Sequence, residues 1–472
     1  MPSLAIRFAL LGLLCSGAPA ALAQEKPPEA PRPRPAAPSA SDVAGAPRPD
    51  QARNAVKDER SAARKLLWIP RAILFLPRWG LWLAVSPIRA GLYAFDRYGV
   101  GDRLRRLLSG NGPIALYPSV ARESGHGLTY GVGAGVGHYL RGNFLFGGEV
   151  RQLYELRLHS HRLLGEGLEL EVIGALQLLG ESYFFGIGND DLQVAGTTSG
   201  VDARTDSTAV TTRFDQEIRR LEIAAEWRPR AHVTARPTAA IIDKHYSSVD
   251  AGGRLVDIAT VYDPATLVGF EDGTRYLYGE LRLDYDDRVT TNPFVSLALP
   301  ATGWKVDGFV GYAAGLAKDP SRYLRYGLDV QRYFDLYLGD RILLLRASLE
   351  GVTAGLDDIP FTELPRLGGS RLMRGYRRNR FRDRTTTAFS VEYRYPINRQ
   401  FGAFVFLDAG GAWRRLRDFD PTALHPGYGA GVQLHTAELF LTRFLVAAGD
   451  DGVTFYLSFT PSADVRLTTH AW

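Results

Sequence analysis

From about residue 113 the chain alternates apolar and polar residues with a period of two, which specifies strands with two chemically different faces. Leu168, Leu170, Val172, Leu176 and Leu178 alternate with Glu169, Glu171 and Gln177. Leu221, Ile223, Ala225 and Trp227 alternate with Arg220, Glu222 and Glu226, and Leu277, Leu281, Leu283 and Tyr285 with Glu280, Arg282, Asp284 and Asp286. Leu324, Tyr326, Leu328 and Val330 do the same against Arg325, Asp329 and Gln331, and VTFYLSF turns Val453, Phe455, Leu457 and Phe459 to one side. The count is about fifteen segments, most of them about ten to sixteen residues long. Short breaks such as Arg141-Gly142-Asn143 alternate with long polar ones near 186–210, 246–274 and 355–384. Short turns at one end and long loops at the other, joining strands charged on one face only, indicate an all-β fold, a transmembrane antiparallel β-barrel. A soluble β-sandwich has shorter strands and does not place charge on one strand face so regularly.

Composition agrees once the barrel is taken into account. A mean hydropathy of −0.12 looks soluble, but inward polar residues offset outward apolar ones in such a fold. The 23 Phe, 22 Tyr and 50 Gly, against two Met, lean towards β structure with aromatic girdles. A net charge of +5 over 472 residues is too slight to indicate a nucleic-acid partner.

Residues 1–23 read as a signal peptide, with Arg7 at the positive end, Phe8 to Leu14 as the apolar core and Ala21-Leu22-Ala23 before the cut. Cys15, the single cysteine, lies inside it, and Gly12-Leu13-Leu14 fits a lipoprotein signal poorly. The mature chain then has no disulfide, thiolate metal site or cysteine nucleophile. Residues 24–50 read as a Pro-rich disordered spacer. Residues 51–112 read as a helical, membrane-interfacial segment on the periplasmic side. Its longest uncharged run, Trp79 to Ile88, is ten residues, about half of what a spanning helix needs. Pro70, Pro77 and Pro87 interrupt it, and Arg71 and Arg78 with Trp68, Trp79 and Trp82 are candidate interfacial anchors. The alternative is a helix packed on a soluble domain. The barrel is assigned to 113–472.

Arg374-Gly375-Tyr376 lies in RLGGSRLMRGYRRNRFRDR (366–384), too polar for lipid and too long for a hairpin turn. The next strand, TAFSVEYRYPI, puts Phe389, Val391, Tyr393 and Tyr395 on one face and Ser390, Glu392 and Arg394 on the other. In FGAFVFLDAGGAW, Asp408 faces away from Ala403, Val405, Leu407 and Ala409. A basic tip followed by two inward carboxylates suggests that loop 355–384 folds into the pore and is held there by ion pairs.

At this point residues 113–460 resemble the BamA/TamA-type barrels, also called bacterial surface antigens. The resemblance rests on Arg374-Gly375-Tyr376 with Gly368-Gly369 before it, on Glu392 and Arg394 in VEYRYP, and on Phe406, Asp408 and Gly410 in FVFLDAG. Softer matches are YFFGIGNDD (183–191) and LDYDDRVTTNPFVSLALPATGW (283–304). The resemblance implies sixteen strands, so one is missed or merged between 113 and 210. It also implies that Arg374 pairs with Asp408 and Glu392, that Gly375 permits close backbone approach and that Tyr376 packs in the lumen. The implied setting is a Gram-negative outer membrane, with its lipids and lipopolysaccharide as surroundings and unfolded outer-membrane or secreted proteins as clients. Two departures stand out. No POTRA pattern precedes the barrel, and TPSADVRLTTHAW follows VTFYLSF where the family ends on an aromatic.

Other chemistry finds little support. Neither G-x-S-x-G nor H-E-x-x-H occurs, and Gly131, Gly133, Gly135 and Gly137 do not make G-x-G-x-x-G. His159 and His161 could hold a metal but fit a surface or loop pair better, and Asp284, Asp286 and Asp287 fit lumen lining better than a calcium site. No enzyme, metal or cofactor is expected. The resulting reading is a barrel that assists insertion or translocation of envelope proteins or lipids. The alternative is a passive plugged pore, structural barrel or surface antigen.

Overall fold

The computed structural model describes residues 114–458, apart from 124–126, 137–139, 148–150, 162–167, 194–198, 207, 250–254, 291–298, 317, 318, 320, 338–340, 398–400 and 436–439. The expected signal peptide, spacer and interfacial segment, including Trp68, Arg71, Arg78, Trp79 and Trp82, lie outside the described residues, as does the tail 460–472.

Sixteen strands form one antiparallel sheet, each paired with its neighbour in the chain, from Ile114–Glu123 to Gly452–Ser458. The alternation explains why. On Thr212–Arg230, Leu221 and Ile223 are exposed while Glu222 is buried, and on Arg322–Tyr337, Leu328 is exposed while Arg325, Asp329 and Gln331 are buried. The apolar face is the one turned to lipid, and the charged face turns to the interior. Thr212–Arg230 runs 19 residues and Leu168–Phe184 17, whereas about 9–11 tilted residues cross a bilayer, so both extend well beyond it. Among the described residues no helix is long and apolar enough to cross.

Two expectations need correction. Arg141-Gly142-Asn143 is not a turn. It lies inside Leu140–Phe146, opposite Arg157, Leu156 and Glu155. A Cβ at Gly142 would stand 3.1 Å from the Phe144 ring, so this glycine makes room for an aromatic instead of bending the chain. The long breaks near 186–210, 246–274 and 355–384 are also more than polar loops. Their scattered apolar residues close into one core with Phe361 at its centre. Its ring centroid lies 5.0 Å from Tyr246, 5.2 Å from Phe214, 5.5 Å from Phe184 and 6.0 Å from Phe270. A one-turn helix, Ile258–Val261, is capped by Asp257, whose carboxylate accepts from the Ala259 and Val249 amides. Tyr262 is buried there, its hydroxyl donating to the Thr208 carbonyl at 2.8 Å, and burial pushes its phenol up to about 12.

Candidate functional site

The segment between Arg341–Val352 and Thr385–Pro396 turns into the interior. Arg366–Leu367 pairs with Phe381–Arg382 in a two-residue ladder that closes its base. Inside this ladder Asn379 (φ 63°) takes left-handed backbone, as asparagine readily does, and Met373 (φ 57°) takes it although an ordinary side chain avoids it. At Met373 this costs on the order of 1–3 kcal/mol unless surrounding contacts impose it.

Those contacts come from the wall. Arg374 is buried, and its Nη2 and Nε donate to the two carboxylate oxygens of Asp408 at 2.7 and 2.9 Å. Its backbone amide donates to the same carboxylate at 2.9 Å. Its Nη1 donates to Glu392 at 2.5 Å, and its Nη2 to the Ser390 hydroxyl, which itself donates to Asp408 at 2.7 Å. The guanidinium lies 3.6 Å from the Phe406 ring centroid. Burial alone would lower the Arg374 pKa, and the facing Asp408 and Glu392 carboxylates more than reverse it, so the net shift is upward.

All five residues singled out for the lock lie together, and the supporting ones lie around them. Arg394 donates to Glu392 at 2.8 Å. Tyr376 is fully buried, its hydroxyl donating to the Pro426 carbonyl or to Asp450, each at 2.8 Å. Gly410 sits beneath the Met373 sulfur, and Gly368 and Gly369 have φ of 111° and 104°. A Cβ at Gly368 would meet the Arg377 carbonyl at 2.1 Å. Gly375 passes so close to the last hairpin that a Cβ would stand 2.4 Å from the Ala448 carbonyl oxygen. Gly375→Val is therefore expected to lift the tip off the wall. The check is protease cleavage within 366–384, absent in the parent and present in the variant.

Sequence reasoning missed several partners. Arg443, on Phe440–Gly449, donates to Glu392 at 2.5 Å and lies 3.7 Å from the Phe404 ring centroid. It is the inward cation of that strand, followed by outward Phe444 and inward Leu445, so the same parity rule would have found it. Tyr456 donates its hydroxyl to the Tyr376 carbonyl at 2.7 Å, and Arg380 pairs with Asp451 at 2.6 Å. These contacts join the loop tip to the final hairpin. On the opposite side Glu363 of the loop binds wall Lys244 and lies 3.6 Å from Arg325.

The YFFGIGNDD segment acts as a collar on the tip. Asn189 donates to the Ala423 carbonyl and accepts from the Ala412 amide, both at 2.8 Å, while Arg380 donates to the Asp190 carbonyl at 2.8 Å. His159 lies 3.4 Å from Glu169. Asp286 pairs with Arg288 at 2.7 Å, and Asp287 accepts from the Trp304 amide at 2.5 Å.

The Omp85 superfamily domain matches residues 294–459, from before Gly303–Gly315 through Gly452–Ser458, and so includes the whole inward loop. Over residues 294–459 the chain is therefore similar to the Omp85 superfamily, and its fold is similar to that of BamA-type barrels. The same fold appears in BamA from Haemophilus ducreyi lacking POTRA domains 1–3, with a TM-score of 0.53 and 11% identity over 73% of this chain and 69% of that one. CdiB from Acinetobacter baumannii aligns with a TM-score of 0.41 and 13% identity over 71% of this chain and 56% of that one. No curated protein sequence matches the chain. The apolar outer face described above suits a barrel surrounded by lipid.

Proposed function

We propose that this chain assists the insertion or translocation of envelope proteins at the outer membrane, with unfolded outer-membrane or secreted proteins as its clients. The observation that carries the reading is the inward Arg374-Gly375-Tyr376 tip, held on Glu392 and Asp408 within an Omp85 superfamily domain. In this reading the tip is a structural lock. It fixes the last strands, while the apolar outer face and a seam between first and last strands perturb the bilayer and admit the client. Lipids and lipopolysaccharide surround the barrel, and the N-terminal segment lies in the periplasm, where residues 66–100 could add to the local perturbation.

The test is to reconstitute the mature protein in liposomes and time the folding of a model outer-membrane β-barrel client. Acceleration over both empty liposomes and liposomes carrying an unrelated porin is the expected result. Equal rates in all three would overturn the proposal. A second reading, a passive plugged barrel, draws support from the Phe361-centred core, which packs three loops together. It predicts no acceleration, and a conductance that rises when 366–384 is removed.

A further inference from the structure

The inward segment 366–384 carries eight arginines against one aspartate, a formal +7. The wall carboxylates near its tip are engaged: Asp408 and Glu392 hold Arg374, and Asp451 holds Arg380. Between the segment and the wall strands Leu168–Phe184, Thr212–Arg230 and Val233–Ser248 lies a cavity of about 30 Å³. That is room for about two waters or one small ion. Arg220, Lys244, Arg366 and Arg378 line it, and no carboxylate does.

Lys244 has a partner in Glu363, and Arg220 has one in Glu222 at 3.1 Å. Arg366 makes no ion pair among the described residues. Beside it the Gln177 side chain is 2% exposed, and its Nε2 donor meets no acceptor. A buried amide donor without an acceptor, in a cavity whose charged lining is entirely cationic, is complementary to an anion. Water alone would satisfy the amide but bring no negative charge to a lining of four cations.

We propose that this cavity binds one small inorganic anion, of chloride to phosphate size, held by Arg366 and Gln177 and serving as counter-ion between the inward loop and the wall. Desolvation lowers the Arg366 pKa, and burial pushes Arg378 down to about 10, so both cations gain from a negative charge placed between them. The site is distinct from the Arg374 lock and does not depend on what the barrel transports.

The experiment measures the thermal unfolding midpoint of the refolded full-length protein in detergent at constant ionic strength. Chloride, sulfate or phosphate replaces gluconate, which is too large for the cavity. A saturable rise of several degrees with one of the small anions is expected, and the double variant Arg366→Gln, Gln177→Leu should flatten it. If that variant does not fold, Gln177→Glu decides. It supplies the negative charge covalently, so its midpoint in gluconate should approach that of the parent in the small anion, with no further response. Identical midpoints in all anions would overturn the proposal. So would a rise that persists in the double variant or in Gln177→Glu, since it reports surface binding only.

Discussion

Arg374→Ala is expected to destabilise the folded barrel by about 3–5 kcal/mol, the scale for removing one partner of a buried ion pair. The contacts dictate how the loss is distributed. Glu392 keeps Arg394 and Arg443, so it remains compensated. Asp408 loses both guanidinium bonds and is left with the Ser390 hydroxyl and one backbone amide, in a site where its own residue is 1% exposed. Most of the cost therefore falls on a stranded Asp408 carboxylate. Two companions follow. Arg374→Lys keeps the charge but not the two-pronged geometry and should fall between alanine and the parent. Arg374→Ala combined with Asp408→Asn removes the stranded charge and should be more stable than Arg374→Ala alone. Urea unfolding in lipid vesicles gives the midpoints of these variants, the parent and the single variant Asp408→Asn. A double variant that merely adds the two single losses would show that the pair is not coupled.

The loop strain acts in the same direction. Left-handed Met373 is followed directly by Arg374, whose amide and side chain both end on Asp408. Without that anchor the remaining contacts, those of Tyr376 and Arg380 with the final hairpin, must hold Met373 in a disfavoured conformation, and the tip should loosen from the wall. The lock is thus a set of contacts that stabilises an otherwise strained turn, and its loss should appear as disorder of 366–384 before the strands separate.

Parity carried most of what could be read from the chain. One rule, that a strand's alternate residues face opposite sides, placed Glu392, Asp408, Asp329 and Arg325 inside and Leu221, Leu328 and Phe455 outside, as the structure has them. It also made the strand count nearly right, about fifteen against sixteen, and it misplaced a turn at Arg141-Gly142-Asn143, which lies inside a strand. The rule is silent where there is no period. Phe184, Tyr262, Phe270 and Phe361 come from four separate stretches of sequence with no common spacing, so their meeting is a long-range event that no local window contains. Arg443 was legible in principle but stood alone, and a single inward cation has no visible partner until the sheet order brings Thr385–Pro396 near Phe440–Gly449.

That long-range core makes the second large prediction. Phe361→Ala should cost about 3–5 kcal/mol, because a central aromatic leaves a cavity that its neighbours cannot fill. Those neighbours are held by the ends of long strands: Phe184 closes Leu168–Phe184, Phe214 opens Thr212–Arg230 and Tyr246 ends Val233–Ser248. Rigid strand ends relax little, so the cavity stays open and the cost stays near the upper part of the range. The consequence extends beyond stability. Phe361 lies on the same loop as Glu363, which binds Lys244, and its carbonyl accepts from Arg382 at 2.7 Å, so it positions both the acidic anchor and the closing ladder of the inward segment. Loosening it should leave the Arg374 cluster intact while freeing the opposite side of the loop. Planar-bilayer recordings should then show raised or flickering conductance in Phe361→Ala and near-parental conductance in Phe361→Leu, which refills most of the space. A closed, silent Phe361→Ala barrel with a lowered unfolding midpoint would mean that the apolar core stabilises the loops without contributing to closure of the pore.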